Sequence, residues 1–409
     1  MAIFANSGVL LPLVFIGIAV TRESPIDMIE TYGDYDQVCN VCNCSSFDEY
    51  EFINCSYRQL QELPPDVPVN TAELNFEHNN IRAKIDLPSS VLHLYGKDNQ
   101  LTDIFGMFNE TTGITVVDLE NNRITSIPKG TFEFCHKLTE LYLSANPIHH
   151  FNADSFIGLR SLKTLEMKYI NGTIIETDLF REIRHSIQDL DINPWPKLTL
   201  IEPGAFNFSV RILKFSTGIM DYFPGSIFKQ LQGEVQIDKC YIYMSETLNG
   251  ISGKAFDGVS YMGDLKMIDS SMNYLPEGLL TNTSFVLAVF LQNNRLEDLP
   301  VGFLRLSPQL EILSLYNNHL KYITPEILMG LTRLKYLYLF QNLITEIPPL
   351  TFYNTNLKTL SIFNNQISTI QKTALRTSRR TLETIYMYYN DLTVIEDNAF
   401  DWLANISQV

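Results

Sequence analysis

The pattern L-x-L-x-x-N-x-I/L returns along the chain fourteen times, at intervals of 20 to 30 residues. The clearest copies are Leu313-Leu315-Asn318-Leu320, Leu337-Leu339-Asn342-Ile344 and Leu360-Ile362-Asn365-Ile367. Leu74-Phe76-Asn79-Ile81, Leu94-Gly96-Asn99-Leu101, Val117-Leu119-Asn122-Ile124 and Leu141-Leu143-Asn146-Ile148 precede them. Measured at the Asn slot, the ladder falls at 79, 99, 122, 146, 170, 195, 218, 240, 270, 294, 318, 342, 365 and 390. Chance supplies two or three such matches, not fourteen in register. Each unit holds one short strand whose apolar side chains cannot be buried alone, so the units must stack and share a continuous core. The Asn amide carries both donors and an acceptor, which suits bonding to backbone where the strand turns. In the middle of the ladder the slot is degenerate, and Ile170, Trp195, Gly218, Cys240 and Ser270 are expected to fill it.

Downstream of many units runs a second pattern, as in Ile124-Ile127-Pro128-Phe132, Leu296-Leu299-Pro300-Phe303 and Ile201-Glu202-Pro203-Gly204-Ala205-Phe206. Together the two patterns resemble the 24-residue repeat of extracellular leucine-rich repeat proteins. The resemblance implies an α/β solenoid. It would be a horseshoe with a parallel β-sheet on the concave face and irregular turns or short helices on the convex face. About fourteen repeats would occupy residues 67–409, the last incomplete.

A length of 409 residues would ordinarily mean two domains, but a solenoid grows its core by length rather than radius. The formal net charge of −16 argues against nucleic acid and anionic membranes as partners. It favours a protein ligand with a basic patch, or serves only to keep the chain soluble. Val9 to Val20 is an apolar run too short to span a membrane, and Gly17 and Ala19 are small residues suited to cleavage after Ala19. Residues 1–19 are therefore expected to be a signal peptide, and the product to be secreted to the extracellular space. N-x-S/T sequons agree with that route at Asn43, Asn54, Asn109, Asn171, Asn207, Asn282 and Asn405. Any occupied sequon would mark surface closed to a ligand.

Residues 20–38 form an acidic leader with Tyr32 and Tyr35 among Asp27, Glu30, Asp34 and Asp36. It is either a solvated spacer or a context for tyrosine sulfation, and it resembles the leaders of some small leucine-rich proteoglycans. Cys39, Cys42, Cys44 and Cys55 follow within residues 39–66. Zinc could use such spacing in the cytosol, whereas a secreted chain favours disulfides. Four cysteines allow three pairings. The cluster resembles the N-terminal cap of extracellular leucine-rich proteins, which implies Cys39–Cys44 and Cys42–Cys55. Cys135 and Cys240 lie about four repeats apart, too far for a bridge.

Side chains alternate along a strand, so the residues flanking the repeat leucines point out of the concave sheet. In the N-terminal half these are acidic: Glu73, Glu77, Asp118, Glu120, Glu140, Glu166, Asp189, Asp191, Glu234 and Asp238, against Lys97, Lys168 and Lys214. In the C-terminal half they are aromatic: Phe290, Tyr316, Tyr336, Tyr338, Phe340, Phe363, Tyr386 and Tyr388. Tyr316, Phe340, Phe363 and Tyr388 share one column and are expected to form a stacked strip. With Tyr338 and Tyr386 they are the candidate ligand-binding residues, because contiguous aromatic surface anchors protein interfaces.

No motif for catalysis, metal or cofactor is present, and the expectation is a binding protein rather than an enzyme. The chain stops inside a fifteenth unit with no second cysteine cap, so the expectation is either that it continues in a longer protein or that its last turn shields the edge itself. Three further roles fit the architecture: a Toll-like or Slit-like receptor ectodomain, a matrix proteoglycan-like protein, and a non-catalytic accessory subunit of a secreted enzyme.

Overall fold

The computed structural model describes residues 36–400, apart from 230–232, 249 and 379. The expected signal peptide, most of the acidic leader including Tyr32 and Tyr35, and the sequon at Asn405 lie outside the described residues.

One sixteen-stranded sheet runs through the protein. It opens with an antiparallel hairpin, Asn43–Phe47 against Tyr50–Asn54. The second arm then pairs in parallel with Thr71–Asn75, and every later junction in this sheet is parallel. Parallel strands need a crossover connection between them, and each repeat supplies it as convex turns. Short helices at Asp36–Val41 and Pro325–Leu328 are the only α-helices among the described residues.

The register explains the repeat. Leu74 pairs with Leu94, Leu94 with Val117, Val117 with Leu141 and Leu141 with Leu165, and all are fully buried. The second-leucine column includes Phe76, Leu119 and Leu143, also buried. Gly96 occupies that column between Phe76 and Leu119. A Cβ there would lie 2.5 Å from the Phe76 ring, so the large side chain of one rung fills the space of its neighbour's missing one. Phe108, Phe132, Phe156, Phe180, Phe206, Phe228 and Phe256 are buried on the convex side. Several meet, stacked or tilted, at 5.4–6.3 Å between centroids.

The Asn ladder acts as its chemistry requires. The Asn146 amide donates to the carbonyls of Leu119, 2.9 Å, and Leu143, 3.0 Å, while its oxygen accepts from the Ile124 N–H at 3.0 Å. Asn318 and Asn342 repeat the arrangement. Each Asn thus satisfies backbone groups of two rungs that would otherwise be buried unpaired. The residue before the slot turns left-handed, φ 50–58°, at His78, Asp98, Asn121, Asn293, Asn317 and Asn364. Asn and Asp tolerate that region better than other non-glycine residues.

The degenerate middle keeps the register. Thr164, Leu165 and Glu166 pair with Asp189, Leu190 and Asp191, which fixes the rungs at Ile170 and Trp195. At Trp195 the indole N–H donates to the Met167 carbonyl at 2.5 Å. Cys240 does not fill the Asn slot. It pairs with Leu213 on one side and Leu265 on the other, so it stands in the first-leucine column and Ser245 takes the slot. The loop before this rung is longer than its neighbours, and a period-based reading placed the slot five residues early. Its thiol is buried, and burial raises its pKa. Cys135 is also buried and unbridged, its pKa pushed up to about 12 by burial.

Candidate binding face

The cap positions the face at its N-terminal end. Disulfides join Cys39 to Cys44 and Cys42 to Cys55, with Cα atoms 5.5 and 4.3 Å apart. With the hairpin they cover the first edge of the sheet, where unpaired backbone would otherwise stand open. Asn43 and Asn54 are directly paired across that hairpin, and Asn54 pairs in turn with Asn75 on the outward face of the first repeat. Two sequons therefore sit together at the N-terminal end of the concave sheet, both exposed. Asn109 and Asn282 are exposed, and the Asn282 amide donates to Asp257 at 2.7 Å. Asn171 and Asn207 are half-buried.

The acidic half is crowded enough to disturb ionisation. Asp118 stands on the outward column between Tyr95 and Tyr142. Burial pushes its carboxyl up to about 6; the charges of Glu120 and Glu77 add to this, while the Glu120 N–H and Lys97 oppose it. Burial, with the hydrogen bond to Glu140, raises the Tyr142 pKa as well. Lys97 is held by Glu120 at 2.7 Å. Lys168 meets Glu166 at 2.6 Å and Asp191 at 3.5 Å, and Lys214 meets the same Asp191 at 3.1 Å.

The corrected register moves two residues off this face and brings others onto it. Glu234 precedes the strand Val235–Tyr243, and Asp238 lies outside the outward columns, so neither joins the concave acidic set. Lys239, Tyr241 and Tyr243 take the outward positions of that rung, followed by Lys266 on the next. Lys239, Tyr241 and Tyr243 were missed because Cys240 was read as a stand-in for Asn, whereas Lys266 belongs to the Ser270 rung, whose register was read correctly. The signal was available in Cys240-x-Ile242, which parallels Leu213-x-Phe215 and Leu265-x-Met267.

At the C-terminal end four rings stack in one column. Tyr316 lies 4.3 Å from Phe340, Phe340 4.6 Å from Phe363, and Phe363 4.6 Å from Tyr388, with planes within 6–11° of each other. The stacking is closer than the edge-on contacts typical of cores, because the strand spacing of about 4.8 Å dictates it. Tyr388 is 48% exposed and meets Tyr389 edge-on at 5.2 Å. Tyr338 and Tyr386 belong to the adjacent column, two rungs apart, with the buried Ser361 between them. Burial raises the pKa of Tyr316 and Tyr338. All six candidate residues therefore share one end of one face.

A sheet of stacked rungs, an Asn ladder, a disulfide cap and an outward face of mixed character define a leucine-rich repeat protein. Comparison with known proteins agrees. A leucine-rich repeat family model matches residues 112–171 and 288–344, and a two-copy leucine-rich repeat model matches 332–377. Among curated proteins the chain is similar to podocan of Mus musculus, 23% identical over 390 residues, which cover 86% of this chain and 57% of podocan. It is also similar to keratocan of Mus musculus, 23% identical over 289 residues, covering 70% of this chain and 72% of keratocan. The chain thus spans little more than half the length of podocan. Among solved structures it superposes on Toll in the Drosophila Toll–Spatzle complex with a TM-score of 0.55 and 16% identity, covering 81% of this chain and 50% of that one. A leucine-rich repeat protein of Leptospira interrogans gives a TM-score of 0.54 and 20% identity, covering 87% and 88%.

Proposed function

We propose that the protein is a secreted binding module whose concave face takes a protein ligand. The observation that carries this reading is the ring column Tyr316–Phe340–Phe363–Tyr388, flanked by Tyr338 and Tyr386. Aromatic side chains supply large contact area at low entropic cost and dominate interface energetics. The ring faces are spent on each other, so the strip offers edges and hydroxyls to a partner. The acidic half around Glu73, Glu77, Asp118, Glu120 and Glu140 adds attraction for a basic patch on that partner. Exposed sequons at Asn43 and Asn54 would close the capped end if glycosylated, which directs the ligand toward the middle and C-terminal rungs. Toll, a fold neighbour, is seen in complex with Spatzle, and the same mode of use is proposed here.

A matrix-organising role is the second reading, favoured by the similarity to podocan and keratocan. Both readings need the chain outside the cell and a partner on the concave face. The test is a cross-linking pull-down with protein purified from culture medium, comparing wild type with a Phe340→Ala/Phe363→Ala variant. A defined protein captured by wild type and lost from the folded variant supports the reading. Equal capture by both contradicts it, as does retention of the protein inside the producing cells.

A further inference from the structure

Five lysines stand on the outward columns of the sheet: Lys97, Lys168, Lys214, Lys239 and Lys266. The first three are neutralised by Glu120, Glu166 and Asp191, at 2.6–3.5 Å. The other two are neighbours on adjacent strands, and among the described residues neither has a carboxylate within ion-pair distance. Asp264 is the strand partner of Lys239 but does not reach it as an ion pair. On a chain of net charge −16 these two cations stand diagonally across adjacent strands.

Lys266 is also held in place. Its ammonium sits 4.6 Å from the centroid of Tyr241 and 4.9 Å from that of Phe290, on the rungs either side. One N–H points to the Tyr241 hydroxyl at 3.4 Å. An ammonium has three N–H donors, so this one is fixed by rings and keeps donors to offer. Ring faces attract the charge without occupying those donors.

From this geometry we infer that Lys266, braced by Tyr241 and Phe290 and joined by Lys239, is a carboxylate-binding site on the concave face. The group it takes is a single carboxylate carried on an apolar stretch of the protein ligand. A sulfated polysaccharide is the poorer match. A polyanion needs a row of free cations, whereas only two stand here, with Asp264 beside them. The site deepens the protein-ligand reading and rests on it only for the source of the carboxylate.

The probe is phenylacetate, which carries a carboxylate on an apolar ring, with acetate and inorganic sulfate as comparators. The whole protein is treated with an amine-acetylating reagent, and the rate at each lysine is followed by mass spectrometry. Phenylacetate slows Lys266 and Lys239 several-fold and saturably while leaving Lys321 and Lys137 unchanged, and acetate does so only at higher concentration. Tyr241→Leu weakens the protection several-fold. Lys266→Met removes protection of Lys239, whereas Lys266→Arg retains it. Uniform slowing of all lysines, or none at Lys266, overturns the site. Sulfate protecting better than phenylacetate overturns its assignment to a carboxylate. Phenylacetate protection with no partner captured on the aromatic strip would remove the proposed function and leave this site standing.

Discussion

The indole N–H of Trp195 donates to the carbonyl of Met167, the group an Asn in its slot would reach. Asn146 makes the equivalent bond to Leu119 and Asn342 to Leu315. A tryptophan thus performs one of the two tasks of the missing amide, and its ring stacks on Phe151 at 5.7 Å between centroids. The space for it is created by Gly172, where a Cβ would lie 2.9 Å from the indole. Trp195→Phe keeps much of the volume and removes the donor, leaving the Met167 carbonyl buried and unpaired. Chemical denaturation should show a loss of about 1–3 kcal/mol. An unchanged midpoint would mean that the bond contributes nothing.

Gly172→Ala tests the same arrangement from the other side. The added methyl group meets the Trp195 ring, and overpacking of this kind costs about 1–3 kcal/mol. The loss should shrink when Gly172→Ala is combined with Trp195→Phe. Strict additivity of the two changes in a double-mutant cycle would contradict the packing account.

Asp118 predicts a pH dependence with a definite sign. Its folded pKa is raised to about 6 by burial, against an ordinary value of 3.8. Below the ordinary value both states bind the proton and the group has no effect. As pH climbs from about 4 to 6, the unfolded chain releases the proton first, so stability falls across that window and then levels. Asp118→Asn keeps an oxygen for the Glu120 N–H, which Asp118 accepts at 2.9 Å. The variant should be more stable than wild type at pH 7, by about 1–2 kcal/mol once solvent screening is allowed for. The two should melt together near pH 3. A variant less stable at pH 7 would show the charge to be needed for folding.

Electrostatic steering gives a kinetic prediction. If the acidic half attracts a basic partner, the association rate falls as salt rises, while dissociation changes little. Stopped-flow or surface-based kinetics with the captured partner would measure both. A salt-insensitive association rate would remove the steering role.

Much of this was legible in the sequence because the solenoid writes its period into the chain. Leu313, Leu337 and Leu360 were placed by spacing alone, and the structure pairs them in register. The stacked column of Tyr316, Phe340, Phe363 and Tyr388 was readable for the same reason, since adjacent rungs differ by one strand spacing. The spacing gave way where loop length changes. Cys240 was assigned to the Asn slot by period, and that hid Tyr241, one of the two rings that bracket Lys266. The pairing of Asn43 with Asn54 depends on an antiparallel hairpin outside the period, so no repeat could predict it. The role of Trp195 depends on a donor geometry that its residue type alone does not announce.

The most direct measurement places a photoreactive residue at Tyr388, on the concave strip and 48% exposed, and separately at Tyr353, which is 66% exposed and outside the concave columns. Each variant is irradiated in its natural surroundings, and the attached protein is identified. The account predicts one defined adduct from position 388 and none of that protein from 353. The same adduct from 353 alone, with position 388 bare, would contradict a ligand on the concave face.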